Sequence, residues 1–155
     1  NMKKLIKLTM MFVLAITVAG CQEKREYTDT YTLHYFYLES CPNCQNFTEN
    51  GLPLIEEEFG DHMKIVKYNM DDRNTINEVK AAYDNFVNNI IDFNQDDYGF
   101  GPFLVLEGYY AQLGVEDVDK YLDNLIAAVS GEKLSEPGEI ETYYYFNDGL
   151  VKSEN

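Results

Sequence analysis

YTLHYFYLESCPNC, residues 31–44, is the stretch on which the fold turns. Its first eight residues, Tyr31 to Leu38, are rich in aromatic side chains and contain no Gly or Pro, the composition of a buried strand. Cys41-Pro42-Asn43-Cys44 follows almost at once. From Pro42 the spacing of Phe47, Leu54, Ile55 and Phe59 predicts a helix kinked at Pro53 and stopped by Gly60. Cys41 then falls at the N-cap, where unpaired backbone N–H groups and the positive end of the helix dipole favour a thiolate. Pro42 at the first helical position loses no hydrogen bond and presets φ. Cys44, one turn on, faces the same side. An attacking thiol and a resolving thiol are the two parts that thiol-disulfide exchange requires. Half of a zinc site and an inert disulfide are the other uses of such a pair. Zinc would need two further ligands, and apart from Cys21 the chain has only His34 and His62 as further Cys or His side chains; a disulfide of this spacing closes too small a loop to stabilise much.

Outward from this junction, Met63 to Met70 reads as a second strand. Asn74 is positioned to cap a helix on which Ile76, Val79, Tyr83, Phe86, Val87 and Ile90 form one apolar face. Asp92 to Gly101 is an acidic loop that ends at Pro102, and two readings of it stand side by side, the wall of a substrate groove and a solvated connection with no partner preference. It lacks the spacing of a calcium loop, since Asp97 stands where the glycine is needed. The runs Phe103 to Leu106 and Tyr109 to Leu113 flank Glu107-Gly108, a two-residue hairpin turn. Val118, Tyr121, Leu122, Leu125, Ile126 and Val129 mark a further helix, stopped by Gly131. Ile140 to Phe146 and Leu150 to Lys152 flank Asn147-Asp148-Gly149 and predict an extra C-terminal hairpin, residues 139–153, in which Tyr143, Tyr144 and Tyr145 cover the sheet. His34 is expected to be structural and His62 exposed. The order of elements is that of an α/β layer architecture, and 155 residues suit one domain.

Composition narrows the function. Twelve Lys and Arg against 27 Asp and Glu give a net charge of −15, which would repel a phosphate backbone and excludes nucleic acid as a partner. At 45% hydrophobic residues the chain can build a real core. Three cysteines are an odd count, and the N-terminus accounts for one of them. Lys3, Lys4 and Lys7 precede an apolar stretch from Leu8 to Ala19 that is too short to span a bilayer. Val18-Ala19-Gly20-Cys21 resembles the bacterial lipobox. That resemblance implies a signal peptide over residues 1–20, a lipid on Cys21 and a tether over residues 21–30. Loss of residues 1–20 removes three Lys, so the charge becomes 9 minus 27, or −18. Attachment to an anionic membrane would then rest on the acyl chains alone.

LHYFYLESCPNC also resembles the active-site strand and helix start of the thioredoxin family. KIVKYNMDD is similar to that family's next strand, and Gly101-Pro102 before FLVL is similar to its cis-proline loop. The likeness covers about residues 31–130. It implies a thioredoxin-like domain over residues 31–153, a central mixed sheet flanked by helices, with Cys41 as the attacking thiol, Cys44 as the resolving thiol and Pro102 as the cis-proline beside them. Gly101 and Pro102 would meet the substrate. The only redox group implied is the Cys41–Cys44 disulfide, with no metal and no organic cofactor. Two departures stand out: Ser40 and the dipeptide Pro42-Asn43 replace the Trp and Gly-Pro of thioredoxin proper, and Tyr35 occupies the position of a buried acid for which Glu39 is the nearest substitute.

The expectation is an extracytoplasmic thiol-disulfide oxidoreductase. It would be monomeric and lipid-anchored on the outer face of a bacterial, Gram-positive membrane, exchanging disulfides with exported proteins and with a membrane electron donor or acceptor. The direction of electron flow is left open. The alternatives are a non-catalytic accessory lipoprotein that binds a secreted peptide or assists its export on the same scaffold, and a copper-carrying lipoprotein using Cys41, Cys44 and a His or Met.

Overall fold

The computed structural model describes residues 24–147. Along the first strand, β1 (Tyr31–Tyr37), side chains alternate between two apolar layers: Leu33 and Tyr35 enter one, Phe36 the other. The strand β3 (Phe103–Leu106) divides the same way, Leu104 and Leu106 against Phe103 and Val105. All four of its residues are buried, as in a strand covered on both faces.

The sheet has five strands in the order β2-β1-β3-β4-β5, with β2 at Met63–Asn69, β4 at Tyr110–Leu113 and β5 at Thr142–Tyr144. β1 pairs with β2 in parallel, Tyr31 opposite Met63, and the remaining pairs are antiparallel. The result is an α/β domain with a mixed, open sheet, compatible with a thioredoxin-like fold. One face is covered by the helical segment after Cys41 and by α4 (Val118–Val129), through Phe47, Ile55, Phe59, Tyr121 and Leu125. The other is covered by α3 (Ile76–Asn88), through Val79, Tyr83 and Val87.

The first helical segment has three parts: α1 (Pro42–Asn46), a π turn (Phe47–Gly51) and α2 (Leu52–Phe59). The expected irregularity at Pro53 is displaced toward the N-terminus. Pro53 lacks an N–H, and its ring crowds the carbonyl four residues back, so the turn before it widens and Leu52 N–H reaches Phe47 O. A methyl group at Gly51 would lie 2.7 Å from the Phe47 ring, which explains a glycine inside this turn. Gly60 ends α2 with φ of 52°, as expected of a helix stop.

Several boundaries differ from expectation. Thr75, not Asn74, precedes α3, because Asp72 Oδ1 accepts Asn74 N–H and Asp72 O accepts Thr75 N–H in a turn that delays the helix. Ile76 is 40% exposed and stands outside the buried face. The β3–β4 connection has three residues, since Leu106 pairs with Tyr110 and Gly108 takes φ of 82°. Of the segment expected as the first arm of a C-terminal hairpin, Thr142–Tyr144 forms β5, beside β4. Residues 150–152, its expected second arm, lie outside the described residues, as do the signal peptide and Cys21.

Candidate functional site

β1 delivers the chain to the helix start at one end of the sheet, and Cys41 caps it. Its backbone is extended, with φ of −85° and ψ of 114°, and its Sγ accepts the Cys44 N–H at 3.2 Å. Pro42 sits at the first helical position, and Pro42 and Asn43 are both exposed. Cys41 is half-buried and Cys44 is buried, both as free thiols, and the pair approaches to 2.7 Å.

Gly101 and Pro102 complete the site, Gly101 from 60 residues beyond Cys41. The Gly101–Pro102 peptide bond is cis, and Gly101 O accepts from the Cys41 thiol at 3.6 Å. Pro102 is buried, and its carbonyl accepts Gly114 N–H at 3.0 Å. A Cβ at Gly101 would lie 2.9 Å from Cys44 Sγ and 3.4 Å from Met70 Cε, so only glycine admits this approach. The structure thus brings together Cys41, Cys44, Gly101 and Pro102, all four picked from the sequence.

Burial is the main cause that pushes Cys44 up to about 12. The hydrogen bond with the Cys41 side chain adds to it, against smaller relief from backbone groups of Leu38 and of Cys44 itself. No carboxylate is among these causes. Tyr35, at the position of the missing acid, is buried; its O–H donates to Cys44 O at 2.8 Å and lies 3.0 Å from Thr48 Oγ1. Glu39 does not replace the acid. Its carboxylate accepts from Asn69 Nδ2 at 2.8 Å, and its backbone N–H donates to Asp71.

The histidines are engaged elsewhere. His34 lies between Tyr68 O–H at 2.9 Å and Glu107 at 2.8 Å, against the Phe86 ring, in the structural role expected of it. His62, expected to be exposed, is half-buried, with Nδ1 2.9 Å from Asp29 O. Among the described residues no group of three or more His, Cys, Asp and Glu side chains converges as a metal site would require.

Two clefts share Leu38 in their walls, and the first of them reaches Cys44. One, of about 200 Å³, is lined by Tyr37, Glu39, Cys44, Gln45, Thr48 and Glu49. The other, of about 230 Å³, is lined by Met70, Ile76, Val79, Lys80, Tyr83 and Tyr98. The residues of the second cleft were missed in the sequence. The one available sign was Ile76, an apolar residue at the very start of the helix and 40% exposed.

No protein-family model matches this sequence, and comparison with curated proteins gives no significant match. What fold and site define is an α/β domain whose helix-opening cysteine pair faces a cis-proline turn.

Proposed function

We propose that the protein is a thioredoxin-like thiol-disulfide oxidoreductase acting on exported proteins through Cys41 and Cys44. The observation that carries this reading is the position of Cys41 Sγ. It is capped by the Cys44 N–H, half-exposed, and 3.6 Å from the carbonyl of the cis-proline turn. A substrate disulfide can reach that sulfur, while Cys44 is screened behind it.

In the reductive direction the Cys41 thiolate attacks one sulfur of a substrate disulfide. A Cys41 mixed disulfide forms and the other substrate sulfur leaves as a thiolate that takes up a proton. Cys44 then loses its proton and attacks Cys41 Sγ, which releases the second substrate thiolate and forms the Cys41–Cys44 disulfide. Two electrons have passed to the substrate. Oxidation of a substrate dithiol is the same sequence reversed, and a thiol or disulfide partner at the membrane restores the starting state. Lipidation at Cys21 would hold the domain on the outer membrane face. In support, the segment before β1 docks at the opposite end of that strand from Cys41, Tyr27 stacking on Phe59 at 4.6 Å.

Cys41→Ser is expected to abolish both reduction of insulin disulfides and oxidation of a dithiol peptide, whereas Cys44→Ser accumulates mixed disulfides detectable by mass spectrometry. Full activity in Cys41→Ser would refute the reading. The reduction potential sets the direction: a value near about −270 mV marks a reductant and one near about −120 mV an oxidant.

A further inference from the structure

The cleft beside the cis-proline turn is apolar and open. It is floored by Val79 and Tyr83 of α3 and walled by Leu38, Met70, Ile76 and Tyr98. Five large apolar side chains are exposed among the described residues, and Ile76, Tyr98 and Phe100 all belong to this cleft or to the loop beside it. Exposed apolar surface gathered in one place marks a binding site more often than scattered residues do. One wall of the cleft, Met70, comes close to the cysteine pair, because Met70 Cε and Cys44 Sγ both lie against Gly101.

Charge identifies the occupant. Glu39, Asp71 and Asp72 follow directly on Leu38 and Met70 at the ends of β1 and β2, with Arg73 as the cation next to them, and Glu49 edges the neighbouring cleft. Lys80, on the cleft wall, is already paired with Asp84 and lies over the Tyr98 ring at 5.8 Å. The whole chain is at −15. An acidic polypeptide would be repelled here and a basic one attracted.

We infer that this cleft takes an apolar side chain next to the reacting cysteine of a positively charged, extended polypeptide, so that the protein selects cationic substrates. The inference rests on the exchange reading above and names its substrate class. The apolar side chain gains burial in the cleft, and flanking Lys or Arg meet the carboxylates of Glu39, Asp71 and Asp72.

The test uses the reduced full chain and synthetic peptides whose single cysteine is capped as a mixed disulfide with a chromogenic thiol. Attack by Cys41 transfers the peptide to Cys41 and releases the chromophore. Three peptides differ only in their flanks: Leu with Lys, Ser with Lys, and Leu with Glu. The Leu-Lys peptide is expected to react roughly tenfold faster than the Ser-Lys peptide, the scale on which an apolar pocket discriminates. Its lead over the Leu-Glu peptide should narrow as salt rises. In Ile76→Glu, and to a smaller degree in Ile76→Ala, the ratio of Leu to Ser rates is expected to fall toward one. Both changes are at an exposed position, so the fold should tolerate them.

The symmetric disulfide of the chromogenic thiol, too small to fill the cleft, separates the two ways of failing. Reaction with it but equal rates for all three peptides would overturn the inference and leave the exchange reading standing. No reaction with it or with any peptide would overturn both. A concentration-dependent dimer in sedimentation that Ile76→Glu abolishes would assign the face to a second copy of the chain and overturn the inference.

Discussion

Cys44 has about 1% of its surface exposed, and the β1 side chain hydrogen-bonded to it is a tyrosine where the family resemblance calls for a carboxylic acid. Tyr35 spends its O–H on the Cys44 carbonyl and is itself raised by burial, so it offers the thiol no base at neutral pH. Resolution of a mixed disulfide must then wait for the small fraction of Cys44 that ionises. Capping Cys41 removes its hydrogen bond from the balance but leaves burial, the larger cause, in place. Below its pKa the thiolate fraction rises about tenfold per pH unit, so Cys44-dependent release should accelerate by roughly that factor per unit from pH 7 to 9. Stopped-flow decay of a preformed Cys41 mixed disulfide measures it directly, and a flat profile would mean that another group takes the proton. The absence of an acid at Tyr35 was legible from position alone. That Glu39 turns to Asn69 was not, because it depends on where β2 ends.

The loop between α3 and β3 is held by contacts that its local sequence pattern does not encode. As sequence it is acidic and polar, the signature of a solvated connection. In the structure it is held by tyrosines from three directions. Tyr83 O–H accepts Gly99 N–H at 3.0 Å, Tyr98 O–H donates to Asp84 of α3, and Tyr144 of β5 donates to Asp97 while accepting Asn94 N–H at 3.4 Å. These partners are up to 50 residues apart, and no local pattern announces them. Strands and helices were readable because each carries its own periodicity. The starts of α3 and β4 were not, since Asp72 and Gly108 set them through turn geometry. The loop also carries Gly101 against the cysteines, so β5 contributes to placing the site through Asp97. Tyr144→Phe removes both of its bonds to the loop while keeping the ring in the core. It should cost about 1 to 2 kcal/mol in urea unfolding and raise hydrogen exchange over residues 94–99 above that of β1. Uniformly faster exchange across the sheet would instead mean a global loss without a loop-specific role.

Across the whole molecule the two apolar layers bury Tyr35, Tyr83, Tyr110, Tyr121 and Tyr144, and those tyrosines tie stability to pH. Burial is the leading cause that raises Tyr83 and Tyr144 to about 12, and it raises Tyr110 and Tyr121 well above the ordinary tyrosine value. A raised folded-state value means that the stabilisation is complete below the ordinary value near about 10 and is lost as pH climbs through the folded one. The acid side has the opposite sign and a more local origin. Burial would raise Glu141, but hydrogen bonds outweigh it: Lys120 Nζ at 2.7 Å and the backbone N–H groups of Gly138 at 2.8 Å and Glu116 at 3.2 Å hold it below its ordinary value. Its contribution is therefore present above about 4.3 and lost as pH falls through the lower folded value. This carboxylate joins α4, β4 and the segment leading to β5, because Gln112 Nε2 also donates to it at 3.1 Å. The urea midpoint is expected to be flat from about pH 6 to 9 and to fall on either side. Glu141→Gln should lower the midpoint at pH 7, since it leaves Lys120 with a neutral partner, and should flatten the acid limb while leaving the alkaline limb unchanged. An acid limb as steep in Glu141→Gln as in the parent chain would place the acid sensitivity elsewhere among the 27 carboxylates.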